Sequence, residues 1–318
     1  MKKLELRAST LHQFAALGSL ILMMILFSIL SPYFLNFDNL ITVIKQTSVV
    51  GIIAIGVTLV IVTGGIDLSL GSVVALSGVV AGFALAKGAS NFVGILIGAL
   101  IGLLCGLISG VIVAYLELPA FIATLGMMMS ARGMSLVLTQ GRPVYIPNNK
   151  TFNLIHNYNL FKYIPLPVIY FAVIALLTHF LLKRTSTGRY LFATGSNEEA
   201  ARLSGINVRL VKLFSYGFCG FMCGLSGVIL LARLNSAQPA IGSGYELDAI
   251  AAVVIGGTSL SGGVGQISGT IIGVLIMSTM KNGLNLMHVS QFWQQVIIGG
   301  VVILAVYIDI KRREAQRL

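Results

Sequence analysis

Long apolar runs, broken by short polar turns, occupy almost the whole chain. Seven intervals carry no Asp, Glu, Lys or Arg: Ala8–Phe37, Gln46–Ile66, Gly88–Leu116, Tyr163–Leu182, Leu213–Ala232, Ala249–Met280 and Asn282–Tyr307. A spanning helix needs roughly 20 mostly apolar residues, and each interval is long enough. The period-2 alternation of an outer-membrane barrel is absent. The pattern predicts an all-α polytopic membrane protein with about ten transmembrane helices. They fall near 12–31, 46–63, 68–87, 91–115, 119–139, 165–183, 213–233, 248–262, 266–286 and 291–308. The first apolar run exceeds a signal-peptide core and lacks a small-x-small cleavage site, so it reads as a spanning helix. An even number of spans puts both termini on one side. Lys2, Lys3 and Arg7 at one end, and Lys311, Arg312, Arg313 and Arg317 at the other, assign that side to the cytoplasm.

One polar island interrupts the pattern. Lys183–Lys212 holds eight of the thirty-one charged residues in thirty positions. Within it, Asn197 is a credible helix N-cap, Glu198 and Glu199 stand in the first turn, and Gly205 suits the C-terminal cap. Glu199, Ala200 and Ala201 are followed after three residues by Gly205, which gives E-A-A-x-x-x-G, with Arg202 inside. The expectation is a capped helix of about two turns, small enough to slot into a groove on another protein with its charges at the rim. On the opposite side, the 140–164 loop is the longest external segment. Its Asn and aromatic content (Asn149, Asn153, Asn157, Tyr158) reads as an ordered loop or a short amphipathic helix.

Glycine adds a packing signal. Gly94, Gly98, Gly102, Gly106 and Gly110 recur at spacing four and share one helical stripe, a surface that lets a neighbouring backbone approach closely. The Gly-rich Gly256–Gln266 reads as a flexible turn between two packed spans. Acidic turns at Gly65–Leu68 and Glu246–Asp248 each enter a Gly/Ala/Val-rich helix from opposite sides. That is the arrangement of inverted repeats, spans two to five against seven to ten.

Composition narrows the function. The chain has 318 residues, 56% hydrophobic and 10% charged, where a soluble domain carries about 25% charged residues. The net charge of +11 is read as basic cytoplasmic loops rather than nucleic-acid binding. No phosphate-binding loop, metal-ligand cluster or nucleophile elbow occurs, so no catalytic, cofactor-binding or metal residue is assigned. Asp67, Glu117, Arg132, Arg233, Glu246, Asp248 and Lys281 lie near or within spans. Asp67 and Asp248 are read as helix caps with gating as the alternative, and Glu246 joins them as a structural or gating residue. No acid is expected deep in a span, which argues against a proton-coupled sugar carrier, the alternative of a different class. Cys105, Cys219 and Cys223 are read as small packing residues.

The E-A-A-x-x-x-G segment resembles the coupling segment of ABC importer permeases. Over nearly the whole length the chain resembles the branched-chain amino acid/sugar-type inner-membrane permeases of bacterial ABC importers, those for ribose first among them. The matching blocks are Gln46–Ser48, Thr58–Ser72, Ala120–Leu125, Gly188–Val208, Arg233–Gly257, Thr258–Gly263 and Asn282–Leu286. The I-x-L-P that ends the longer form of the coupling motif is absent after Gly205. The resemblance implies a single permease domain over 1–318 with a coupling segment at 184–212, of the ten-span type seen in vitamin-importer permeases. It also implies a second copy of the permease, a cytoplasmic ATPase that binds ATP and Mg, and a periplasmic sugar-binding protein. The implied cargo is a monosaccharide, ribose first, with allose, xylose, arabinose and galactose as alternatives, carried across a bacterial inner membrane.

Overall fold

Helix forms wherever the apolar pattern predicts it. The computed structural model describes residues 2–146, 149–161 and 163–317. These form α1 (Lys2–Leu30), α2 (Phe37–Val62), α3 (Leu70–Ala86), α4 (Asn91–Ala114), α5 (Ala120–Thr139), β1 (Val144–Tyr145), α6 (Lys150–Asn157), β2 (Asn159–Leu160) and β3 (Ile164–Pro165). Then come α7 (Leu166–Arg184), α8 (Ser186–Ser196), α9 (Glu198–Leu203), α10 (Val208–Leu234), β4 (Ser236–Ala237), α11 (Tyr245–Ile255), α12 (Ile267–Leu286) and α13 (Gln291–Arg317). Each of the ten predicted spans coincides with one helix. Helices α2, α4, α5, α7, α10, α12 and α13 are long and apolar enough to cross a membrane unaided. The apolar part of α1, Phe14–Leu30, and α3 are shorter. The span expected at 248–262 needs correction. Its helix, α11, has 11 residues and measures about 16 Å at 1.5 Å per residue. That is about half a hydrocarbon core of about 30 Å.

The core is built around α2, where nearly every residue from Thr47 to Val62 is buried. Its neighbours include α10, α12, α7 and α11. Apolar side chains also cover the outside: Leu22 and Ile29 of α1, Phe92 of α4, Leu176 and Phe180 of α7 and Ile303 of α13 are all exposed. A bilayer solvates such a surface as well as it would a leucine core.

Helices α4 and α10 make the closest seam, running antiparallel. A Cβ added at Gly98 would collide with Val228, at Gly102 with Gly220 and Gly224, at Gly106 with Tyr216 and Gly220, and at Gly110 with Leu213. The fifth glycine of the stripe, Gly94, faces Leu85 of α3 instead.

Two helix pairs are broken inside the bundle. Helix α2 is followed by the non-helical segment 63–69 and then α3, and α10 by 235–244 and then α11. The pairs run in opposite senses, since Val49 of α2 lies against Ser226 of α10 and Gly56 against Cys219. The two short helices start beside each other: a Cβ at Gly71 would strike the Gly242 carbonyl and the Glu246 carboxylate. Asp67 lies against Cys219, near the middle of α10. Each break starts at one end of the bundle, Thr63 and Gly64 in the cleft beside Glu198 and Arg202, Ser236 and Ala237 against β1, and carries the chain back inside, where the short helix begins.

The Gly-rich stretch between α11 and α12 is pinned, not flexible. The Gly263 N–H donates to the Val62 carbonyl at 2.9 Å, and Ser259 N–H donates to Val264 at 3.0 Å. Gly262 and Gly263 take φ of +82° and +73°, a region where only glycine is at ease.

At the opposite end, the 140–164 loop is tied down. Asn149 caps α6 by accepting from the Phe152 N–H at 3.1 Å. Phe152 and His156, one turn apart, are buried. Strand β1 pairs antiparallel with β4, Val144 opposite Ala237 and Tyr145 opposite Ser236, which joins this loop to the segment that follows α10. Burial, with Arg233 and Lys45 nearby, pushes the His156 imidazole down to about 4. An unfolded histidine takes its proton near pH 6.5. Stability is therefore full above pH 6.5 and is lost as pH falls from there towards 4, by about 2–3 kcal/mol in all. Thermal unfolding across pH 7 to 4 should show this loss in the wild type and a smaller one in His156→Phe; equal slopes would refute it.

Candidate functional site

The polar island folds as two helices, not one. Sequence reasoning missed α8, whose Ser, Thr and Gly content reads as loop. Packing forms it: Gly188, Leu191 and Thr194 are buried, and Gly195 lies so close to the Val62 carbonyl that a Cβ would not fit. Thr185 caps it, accepting from the Gly188 N–H at 3.2 Å.

Helix α9 follows at once. The Asn197 side chain accepts from the Ala200 N–H at 2.9 Å, and Glu198 and Glu199 lie in the first turn, where the helix dipole favours them. At the other end, Gly205 takes φ +83°, its N–H donates to Arg202, and the Ile206 N–H donates to Ala201. That pair of bonds is the Schellman stop, with Ser204 as the cap residue and Gly205 one place beyond it. Ala201 is buried against the bundle. Glu199, Ala200, Arg202 and Gly205 face outward, and Leu203 is 84% exposed.

Behind α9 lies a cleft of about 870 Å³. It opens between the α4–α5 turn and the start of α10. Lys212 reaches Glu198 at 2.7 Å, Arg202 reaches Glu198 at 3.4 Å, and Arg209 reaches Glu117 at 3.1 Å. Such exposed pairs stabilise by about 0–1 kcal/mol each, so their main effect is geometric. They tie α9 to α10 and α10 to the turn that leads into α5. Glu117 stands in that turn with φ +55°.

The remaining charges lie deeper. Asp67 is 2% exposed and accepts from the Ser69 N–H at 2.8 Å and the Ser69 hydroxyl at 2.6 Å. It holds the chain just ahead of α3, in the middle of the bundle rather than at its edge. Asp248 is buried within the first turn of α11 and caps nothing there; its carboxylate is paired with Lys281 of α12. Neither acid lies in the middle of a helix, yet both are buried. Both sit at helix starts, but those starts are internal. Glu246 accepts from the Gly244 N–H at 3.2 Å. Arg132 of α5 donates to the carbonyls of Pro239 and Ile241 at 2.6 and 3.0 Å. The three thiols are buried and free.

A bundle with an apolar exterior, two broken helices meeting inside it and a capped helix projecting from one end has the build of a membrane transport subunit. The chain belongs to the family described as branched-chain amino acid transport system / permease component, whose model matches residues 39–306. It is 44% identical over 300 residues to the ribose import permease protein RbsC of Escherichia coli (strain K12), covering 94% of each chain. It is 46% identical over 294 residues to RbsC of Bacillus subtilis (strain 168), covering 92% of this chain and 91% of the relative. To the D-allose transport system permease protein AlsC of Escherichia coli (strain K12) it is 39% identical over 287 residues, 89% of this chain and 87% of the relative. No solved structure matches it.

Proposed function

We propose that this chain is the membrane permease of an ATP-driven importer that brings a monosaccharide, ribose, into the cell. The similarity to ribose import permeases along almost their full length carries the reading; the D-allose permease is more distant. Two copies work together, with a sugar path between them. A separate ATPase, which binds ATP and Mg, receives α9 in a groove on the cytoplasmic side, where both termini also lie. The projecting Leu203 and the two caps support that assignment, because a rigid helix transmits movement that a loose loop would dissipate. A periplasmic sugar-binding protein rests on the joined loops around β1 and β4. In ATP-loaded proteoliposomes containing the ATPase, ribose uptake should require the binding protein and should survive an uncoupler. Uptake that collapses with the uncoupler but not with ATP depletion would favour a proton-coupled carrier instead, and Asp67 is the group such a carrier would use.

Gly205 gives a sharper test of the docking helix. A β-branched residue at φ +83° is strained by about 1–2 kcal/mol, enough to reshape the end of α9 but not to unfold a bundle. Gly205→Val should insert normally, lose about 90% of ribose uptake, and leave ATP hydrolysis unresponsive to the loaded binding protein. Sugar-stimulated hydrolysis at the wild-type level would refute the docking role.

A further inference from the structure

The segment between β4 and α11 is non-helical backbone that reaches the interior of a membrane bundle. Such backbone persists only where protein or a water-filled cavity satisfies its polar groups. Part of that task is met locally, the Ile241 N–H donating to Gln238 and the Gly244 N–H to Glu246, and part by one distant cation. Arg132 is the charged residue of α5 (Ala120–Thr139), and it directs its guanidinium at two main-chain carbonyls, Pro239 and Ile241, 107 and 109 residues away. Beyond those carbonyls the chain packs on Gly71 at the start of α3 and enters α11 through Gly242 and Gly244, both with positive φ. The far side of the segment is tied by Asp248 to Lys281.

The lower end of α5 is placed to feel the coupling helix. Leu118, Pro119 and Ala120 line the cleft that Glu198, Arg202 and Gly205 also line. Glu117, one residue earlier, is bonded to Arg209 at the start of α10. From Ala120 to Arg132 is about 18 Å of continuous helix. Movement at α9 therefore has a rigid rod to follow, and Arg132, part-way along it, holds the two carbonyls.

We propose that residues 239–246 form a re-entrant plug that closes the transport path on the side away from the coupling segment, and that Arg132 is the positioning residue that latches it. Breaking the two hydrogen bonds releases the plug; α5, displaced from below, is what breaks them. The latch rests on the importer reading for its meaning in transport, but its existence is testable without sugar.

The experiment uses the full chain with its ATPase in proteoliposomes and places a reporter thiol at Ile241, whose side chain is partly buried against the core and whose main-chain carbonyl the substitution leaves in place. The native thiols are buried, so a membrane-impermeant maleimide applied from the plug side reads the reporter. Arg132→Gln should label at least about tenfold faster than the parent, the factor that 1.4 kcal/mol of lost latching gives. It should also lose the dependence of labelling on ATP. Arg132→Lys, which keeps the charge and a donor, should restore part of both. Labelling at the parental rate and with parental ATP response in Arg132→Gln would overturn the latch. If Arg132→Gln does not insert, the lysine variant decides: parental behaviour on every readout overturns the proposal, and intermediate labelling upholds it. Failure of the parent to take up ribose would defeat the importer reading while leaving the labelling result standing.

Discussion

Gly102→Leu is expected to abolish recovery of folded protein from membranes. A Cβ at this position already stands 2.6 Å from Gly224 and closer still to the Gly220 carbonyl. Those obstacles are backbone atoms of α10, so no rotamer change relieves them. On the other side the collision is reciprocal, since a Cβ at Gly220 would meet Gly102 and Gly106. Overpacking costs typically 1–3 kcal/mol where side chains can shift; with backbone on both sides the cost is about 3 kcal/mol or more. Folded proteins hold roughly 5–15 kcal/mol in reserve, and this seam also orients α2 and α3 against α10. The measurement is the monodisperse fraction by size-exclusion chromatography after detergent extraction. Gly126→Leu on α5, where nothing lies within 4 Å, is the control and should be recovered normally. Equal recovery of the two variants would show that the α4–α10 seam is not what holds the bundle.

The second large effect concerns Asp248 and Lys281. The aspartate side chain is 5% exposed and the lysine 33%. Removing one partner of a buried ion pair costs about 3–5 kcal/mol, because the other charge is stranded. The lysine's partial exposure puts this pair near 3 kcal/mol. Asp248→Leu should therefore lower the thermal midpoint clearly, and Lys281→Met should do so as well. The double variant should recover most of the loss, since replacing both charges with apolar groups of similar size is often neutral. Such a rescue would assign the pair to tethering α11 against α12. A double variant as unstable as the sum of the singles would contradict it.

What was legible in the sequence is what depends on near neighbours. The caps of α9 lie within nine residues, and each is a chemical preference of one residue type, so Asn197 and Gly205 could be read directly. The glycine spacing in α4 is likewise a local repeat. The partner repeat on α10, at Gly217, Gly220, Gly224 and Gly227, stands in the same sequence and was available as a signal. Features set by contacts far along the chain were not legible. Asp248 looks like a cap because it precedes an apolar run; only the folded chain brings Lys281, 33 residues on, to its carboxylate. Arg132 gives no local hint that it binds carbonyls more than a hundred residues away. The early end of α11 was a local signal passed over: Gly257 takes φ +91°, its N–H donates to Val254 and the Thr258 N–H donates to Val253, the same glycine stop that ends α9. Helix α8 escaped because tertiary packing overrode its weak local preference.

The short ladder between β1 and β4 has a consequence for association. It joins two loops that belong to different halves of the chain, Val144–Tyr145 and Ser236–Ala237, and α6 packs against α10 beside it. Two separate loops would each lose conformational freedom when a partner settled on them, at about 0.5–1.5 kcal/mol for every mobile side chain immobilised. Bound to each other beforehand, they have already given up much of that freedom during folding. A protein arriving at this face meets a preformed surface, so its affinity is set more by fit and charge than by the cost of ordering its target.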